Sequence, residues 1–108
     1  MAGFSSPQAA HVNWFPRTLN VGQMKMTGAA QQVSTGLALV NGITFKAKTG
    51  NTGSIWIGLS SVAVTDDGTG NGFRIAAGES SPLIQISDAS ILYVIGASAN
   101  DVLYYIGN

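Results

Sequence analysis

The chain has 108 residues, 45% of them apolar, with five cationic and five anionic side chains that cancel, one histidine and no cysteine. This suits one domain around one core and excludes disulfides, a thiol nucleophile and cysteine metal sites. No apolar run approaches the roughly 20 residues of a membrane-spanning helix, and five cations scattered along the sequence fall short of the basic patch a nucleic-acid binder carries.

Residues 1–22 hold two of the three prolines, the only histidine (His11) and the pair Trp14-Phe15, with little alternation. They read as an arm ahead of a domain spanning residues 23–108. Leaving Phe4, Trp14 and Phe15 in water is costly, since each buried ring contributes roughly 2–3 kcal/mol. The arm is therefore expected to dock on a neighbour, with Phe4, Trp14, Phe15 and Arg17 as contact residues.

Beyond the arm, 12 of the chain's 14 glycines, with Ser, Thr and Asn, punctuate the chain at the short intervals of strands joined by turns. Residues 29–33 allow one short helical turn. Asn41-Gly42 lies between Leu37-Ala38-Leu39-Val40 and an apolar run beginning at Ile43, a two-residue hairpin signal. Strands are predicted at residues 43–48, 54–60, 72–76, 82–87, 91–96 and 102–106. Ile43, Phe45 and Ala47 oppose Thr44, Lys46 and Lys48. Phe73 and Ile75 oppose Arg74, and Ile84 and Ile86 oppose Gln85. Gly/Asn-rich loops fall at residues 49–53 and 66–72.

The last two stretches, residues 91–95 and 102–106, are apolar on both faces. A strand of that kind lies between a core and something else that excludes water; with no helix to cover a sheet, another subunit is expected to do so. Charged residues at 9%, against roughly 25% in typical soluble domains, also point to a surface largely covered by partners. About eight short strands without sustained helical periodicity predict an all-β chain, a single antiparallel β-sandwich of jelly-roll-like type with an extended N-terminal arm.

Chemistry has little to work with. A Ser–His–Asp triad would have to recruit His11 from the arm, without the flanking sequence that shapes a nucleophile, so no catalytic residue is assigned. Asp66-Asp67-Gly68-Thr69-Gly70-Asn71 lacks the ligand spacing of a calcium loop and reads as a turn whose side chains bond their own backbone. No metal or cofactor is expected. Trp56, Tyr93, Tyr104 and Tyr105 admit a sugar-stacking platform, but aromatic residues on strands are more often core or cross-strand pairs. Tyr104 and Tyr105 point to opposite faces, so at least one lies off the core. Tyr93, Tyr104 and Tyr105 join the arm residues as candidate contacts.

From Gly42 onward the sequence resembles a β-rich domain of tailed-phage virion proteins of the head-decoration, cement or head-fibre type. The likeness rests on Gly42-Ile43-Thr44-Phe45-Lys46-Ala47, Gly53-Ser54-Ile55-Trp56-Ile57-Gly58, Gly72-Phe73-Arg74-Ile75-Ala76-Ala77-Gly78-Glu79-Ser80, Ile91-Leu92-Tyr93-Val94-Ile95-Gly96 and Ala99-Asn100-Asp101-Val102-Leu103-Tyr104-Tyr105. Its most distinctive piece is the turn Ala77-Gly78-Glu79-Ser80. There Gly78 is expected to supply the turn conformation, and Glu79 and Ser80 to satisfy exposed backbone. The resemblance implies a non-enzymatic virion structural protein, a capsid decoration or cement protein on the capsid exterior. Its implied partners are the major capsid protein and its own copies in a homotrimer, with no nucleic acid and no membrane. Alternatives are a head-fibre or tail component, or a receptor- or carbohydrate-binding module.

Overall fold

Alternation at period two sorts the strand side chains onto two apolar inner faces, and the two faces close on each other. A computed structural model describes residues 19–33 and 38–108. Seven strands are present among them: β1 (Asn20–Lys25), β2 (Gln31–Gln32), β3 (Ile43–Ala47), β4 (Ile55–Gly58), β5 (Phe73–Ile75), β6 (Tyr93–Gly96) and β7 (Val102–Gly107). A single 3₁₀ turn, Ala89–Ile91, precedes β6. One sheet has the order β1-β7-β3 and the other β2-β6-β4-β5, with every pairing antiparallel.

Residues 82–87, predicted as a regular strand, belong instead to an irregular edge along β3 that spans residues 80–87. Ile43 and Ile84 exchange N–H···O bonds of 3.0 and 2.8 Å, and bridges join Ile43 to Ile84 and Lys46 to Ser80. The two bridges lie three residues apart on β3 but four apart on the facing segment, which is a one-residue bulge. Pro82 sits inside the bulge and has no N–H to offer a ladder. The buried Ser81 repairs the gap: its hydroxyl accepts from the Phe45 N–H at 2.9 Å and its own N–H donates to the Phe45 carbonyl at 2.7 Å. With this segment counted as an eighth strand, each sheet has four. The chain crosses between the sheets at every connection but β4 to β5, which is the jelly-roll-like order.

The inner faces supply Ile43, Phe45, Ala47 and Leu103 from one sheet and Ile55, Ile57, Ile75 and Val94 from the other, with Met26, Leu39 and Leu92 closing the ends. Tyr105 also faces inward. Its ring lies tilted 59° to that of Phe45, with centroids 6.4 Å apart, a favourable edge-to-face arrangement. The phenol lies across Gly22 on β1, where a Cβ would stand 2.4 Å from the hydroxyl oxygen. Glycine there gives the ring its place.

Three local expectations are corrected. Asn41-Gly42 does not turn a hairpin. Gly42 has φ +130°, but Asn41 is not among the positive-φ residues, and a type I′ turn needs both. The segments on either side pair with residues 84–87 instead of each other, through Leu39 N–H to Ser87 O and Ile43 N–H to Ile84 O. Residues 29–33 hold β2, paired to β6, and no helical turn. Finally, β1 begins at Asn20, so a boundary after residue 22 cuts a strand; the domain starts before it.

The turn at residues 76–79 follows its expected chemistry in part. Gly78 has φ +82° at the third position of a type II turn, closed by Glu79 N–H to Ala76 O at 2.9 Å. The Glu79 carboxylate accepts from the Ala76 N–H at 2.7 Å. Ser80 is exposed, and the serine that completes buried backbone pairing is Ser81. Replacing Ser81 by Ala strands the Phe45 N–H in the interior and is expected to cost about 1–3 kcal/mol. Ser80→Ala is expected to stay within about 0.5 kcal/mol of the parent. Urea unfolding of the two variants side by side measures the difference, and equal losses would place the repair elsewhere.

Candidate interaction surface

The carboxylates come first, because they are the natural seeds of a reaction or metal site. All five lie among the described residues, and each has a local partner. Asp101 is 5% exposed and accepts from the Thr52 and Gly53 N–H groups, both at 2.9 Å. Next to it, Asn51 accepts from the Val102 N–H and donates to the Val102 carbonyl, again at 2.9 Å each. The β3–β4 loop is thus fastened to the start of β7. Asp88 caps the 3₁₀ turn by accepting from the Ser90 N–H at 2.9 Å, and Glu79 is held by its own turn.

Asp67 accepts from the Thr69 hydroxyl at 2.6 Å and the Thr69 N–H at 3.0 Å, the self-bonded turn expected of the Gly/Asn-rich loop. Asp66 pairs with Arg74 at 3.5 Å, both side chains well exposed, a contact worth at most about 1 kcal/mol. Among the described residues no three His, Cys, Asp or Glu side chains gather as a metal site.

The candidate contact residues part company. Phe4, Trp14, Phe15 and Arg17 lie outside the described residues, as does His11. Tyr105 turns into the core and drops out of the candidate surface. Tyr104, its neighbour, points outward from the β1-β7-β3 sheet, and Tyr93 points outward from the other sheet, opposite Gln32 and Gly58. Trp56 is on the outer side of that second sheet, yet only 6% exposed. The β4–β5 loop folds back over it: Val62 is buried, and Gly72 packs against both Trp56 and Val62. The expected cover for this sheet is thus partly the chain's own loop. Tyr93 and Tyr104 face opposite ways, and with Trp56 covered these aromatic residues form no shared platform.

The outer face of the β1-β7-β3 sheet is one continuous candidate. Register places Val21, Ile106 and Thr44 in one cross-strand row, Gln23, Tyr104 and Lys46 in the next, and Lys25 and Val102 beyond them. Lys48 extends the last row, its N–H bonded to the Val102 carbonyl at 3.1 Å. A shallow depression of about 600 Å³ lies over the first two rows. One end of the face is therefore apolar, and the other carries all three lysines, every one exposed. The only ion pair among the described residues is Arg74–Asp66, so these lysines have no acidic partner there. The three lysines, scattered in sequence, are gathered by the fold.

A second apolar surface lies at the edge of the sandwich, where the two sheets open between β5 and residues 81–84. A cleft of about 330 Å³ is lined by Ile57, Leu59, Phe73, Pro82, Ile84 and Leu92, among others. Leu59 and Phe73 at its mouth are more than half exposed. Nothing in the sequence marks this cleft, since Phe73 alternates correctly with Ile75 and reads as core. Its exposure follows from the edge position of β5, with no strand beyond it to close the sandwich.

No protein-family model, curated protein or solved structure matches the chain.

The hydrogen bonds to Asp67 and Asp88 carry a pH signature. Bonds from the Thr69 hydroxyl and N–H hold the Asp67 carboxyl below its ordinary value, and the Ser90 N–H, with its side chain, does the same for Asp88. A carboxylate whose folded pKa is depressed contributes stability above its unfolded pKa and loses it as pH falls through the folded pKa. Asp67→Asn/Asp88→Asn is therefore expected to melt below the parent at neutral pH, with the difference vanishing by about pH 2. A thermal melt series across that range tests this. Asp101→Ala leaves two loop N–H groups without their acceptor and is expected to cost about 2–4 kcal/mol, read by denaturant unfolding at pH 7.

Proposed function

We propose that this protein is a non-enzymatic structural component of a virion, a decoration or cement protein on the outer capsid surface. It binds the major capsid protein and its own copies, as a homotrimer, and stabilises the shell. The observation that carries this reading is how polar chemistry and apolar area are divided. Every carboxylate is engaged in a turn, cap, loop anchor or surface ion pair. Meanwhile a sheet face bearing Val21, Tyr104 and Ile106 is turned outward. Such a molecule has much to offer a protein surface and little to offer a reaction. The jelly-roll-like sandwich is consistent with this role, since viral capsid domains are among the users of that architecture. Fold alone does not assign function.

Attachment is expected to use the N-terminal segment. Deleting residues 1–18 should leave the β-sheet circular dichroism and melting temperature close to those of the full chain while abolishing capsid attachment. Deletion through residue 22 removes half of β1 and should lower stability severely. Quantitative mass spectrometry of purified virions tests the assignment itself: hundreds of copies per particle are expected of a cement protein. A handful of copies would move the protein to a head fibre or tail, and its absence from virions would overturn the reading.

A further inference from the structure

The formal net charge is zero, but the fold distributes it unevenly. The three lysines share one sheet face, with Glu79 at its edge beside Lys46 and Asp101 buried at the start of β7. Asp66 and Asp67 lie elsewhere with Arg74. Lys25, Lys46 and Lys48 stand together at one end of the outward face of the β1-β7-β3 sheet, beside the apolar end formed by Val21 and Ile106. Val21 is 62% exposed and Ile106 49%. Asp66 and Asp67 lie on the β4–β5 loop, which folds over the other sheet. Around this acidic pair Leu59, Val64 and Phe73 are exposed, at 63%, 45% and 55%, and the cleft between β5 and residues 81–84 opens beside them. Each of the two surfaces thus combines apolar side chains with charge, of opposite sign and at separate places on one sandwich. Arg74 tempers the acidic side by pairing with Asp66, but Asp67 has no cationic partner among the described residues, its bonds going to Thr69.

We infer that these surfaces are the two halves of one contact between copies, the lysine-bearing sheet face of one protomer docking on the β4–β5 loop and cleft of the next. Apolar area supplies most of the attraction, and the charges set orientation and register. The alternative of like faces meeting about a two-fold axis running along the strands would bring two lysine clusters together, which costs energy. The contact is heterologous, so it closes into a ring when the rotation per copy allows and otherwise continues as a filament. This rests on the proposed self-association and specifies its geometry. It does not depend on capsid binding.

Charge exchange provides the test, because all the substituted side chains are exposed and unfolding is checked by circular dichroism. Lys46→Glu/Lys48→Glu and, separately, Asp66→Lys are each expected to weaken self-association by about tenfold or more, read by sedimentation velocity across a concentration series. The chain carrying all three substitutions should recover part of the loss. An equimolar mixture of the two blocked proteins supplies the deciding result. One keeps a native acidic loop and the other a native lysine face, so these should dock. The exchanged charges left at the outer ends re-pair as in the triple variant, and mixing should restore association that neither protein shows alone. A parent chain that remains monomeric at high micromolar concentration would overturn the inference, as would assembly unaffected by either variant or a mixture that stays monomeric. Each of these outcomes leaves the virion copy-number measurement, and with it the proposed function, to be decided separately.

Discussion

The register of β7 is the constraint on which the rest of this structure depends. This strand is central in its sheet, flanked by β1 and β3, and alternates between Leu103, Tyr105 and Gly107 on the inside and Val102, Tyr104 and Ile106 on the outside. Both sets are largely apolar, so hydrophobicity alone holds the register weakly. A slip by one residue would exchange Tyr104 for Tyr105 and reverse both faces. The start of the strand is where the ambiguity is resolved. Asp101 binds two loop N–H groups through its carboxylate and the Met26 N–H through its carbonyl at 2.7 Å. Asn51 brackets the backbone of Val102 on both sides. These bonds are geometrically specific where apolar contact is not. Gly22 adds a second check, since the Tyr105 ring fits only over a residue without a side chain.

With that register held, the polar and apolar resources of the chain separate. Few ionisable groups are available, and the carboxylates go to local backbone or, in one case, to an arginine. Their depressed or buried states reflect loop anchoring and capping, the structural alternative to a functional site that perturbed groups always admit. Apolar side chains, by contrast, exceed what one core can enclose. A sandwich of this size has two outer faces and open edges, and the β4–β5 loop covers only one part of them, over Trp56. The face around Tyr104 and the cleft beside Phe73 remain.

The candidate surface was partly legible before the fold was known. Two adjacent tyrosines on a strand cannot both face inward, so an outward aromatic residue followed from alternation. Which of the two it would be depended on Gly22, some eighty positions away. The lysines could not be read as a patch, because Lys25 and Lys48 come together only through the shared neighbour Val102. Trp56 is buried, as aromatic strand residues commonly are, but its cover is Val62, from a loop whose sequence shows only turn chemistry. Ser80 and Ser81 look alike in a turn, and only the bulge opposite Phe45 distinguishes them.

What the amino-acid sequence determined by itself is whatever depends on neighbours along the chain. Period-two alternation, glycine at the Gly78 turn and the self-bonded Asp67 loop were all readable, and they imply an antiparallel all-β sandwich. Pairing partners were left to the tertiary structure. Asn41-Gly42 has the local form of a hairpin, but both its flanks find better partners in residues 84–87, and strand pairing across forty residues is invisible to any local pattern. The gathering of three lysines on one sheet face was likewise decided by packing. A strand dictates which of its residues share a face, but only its neighbours dictate what that face meets.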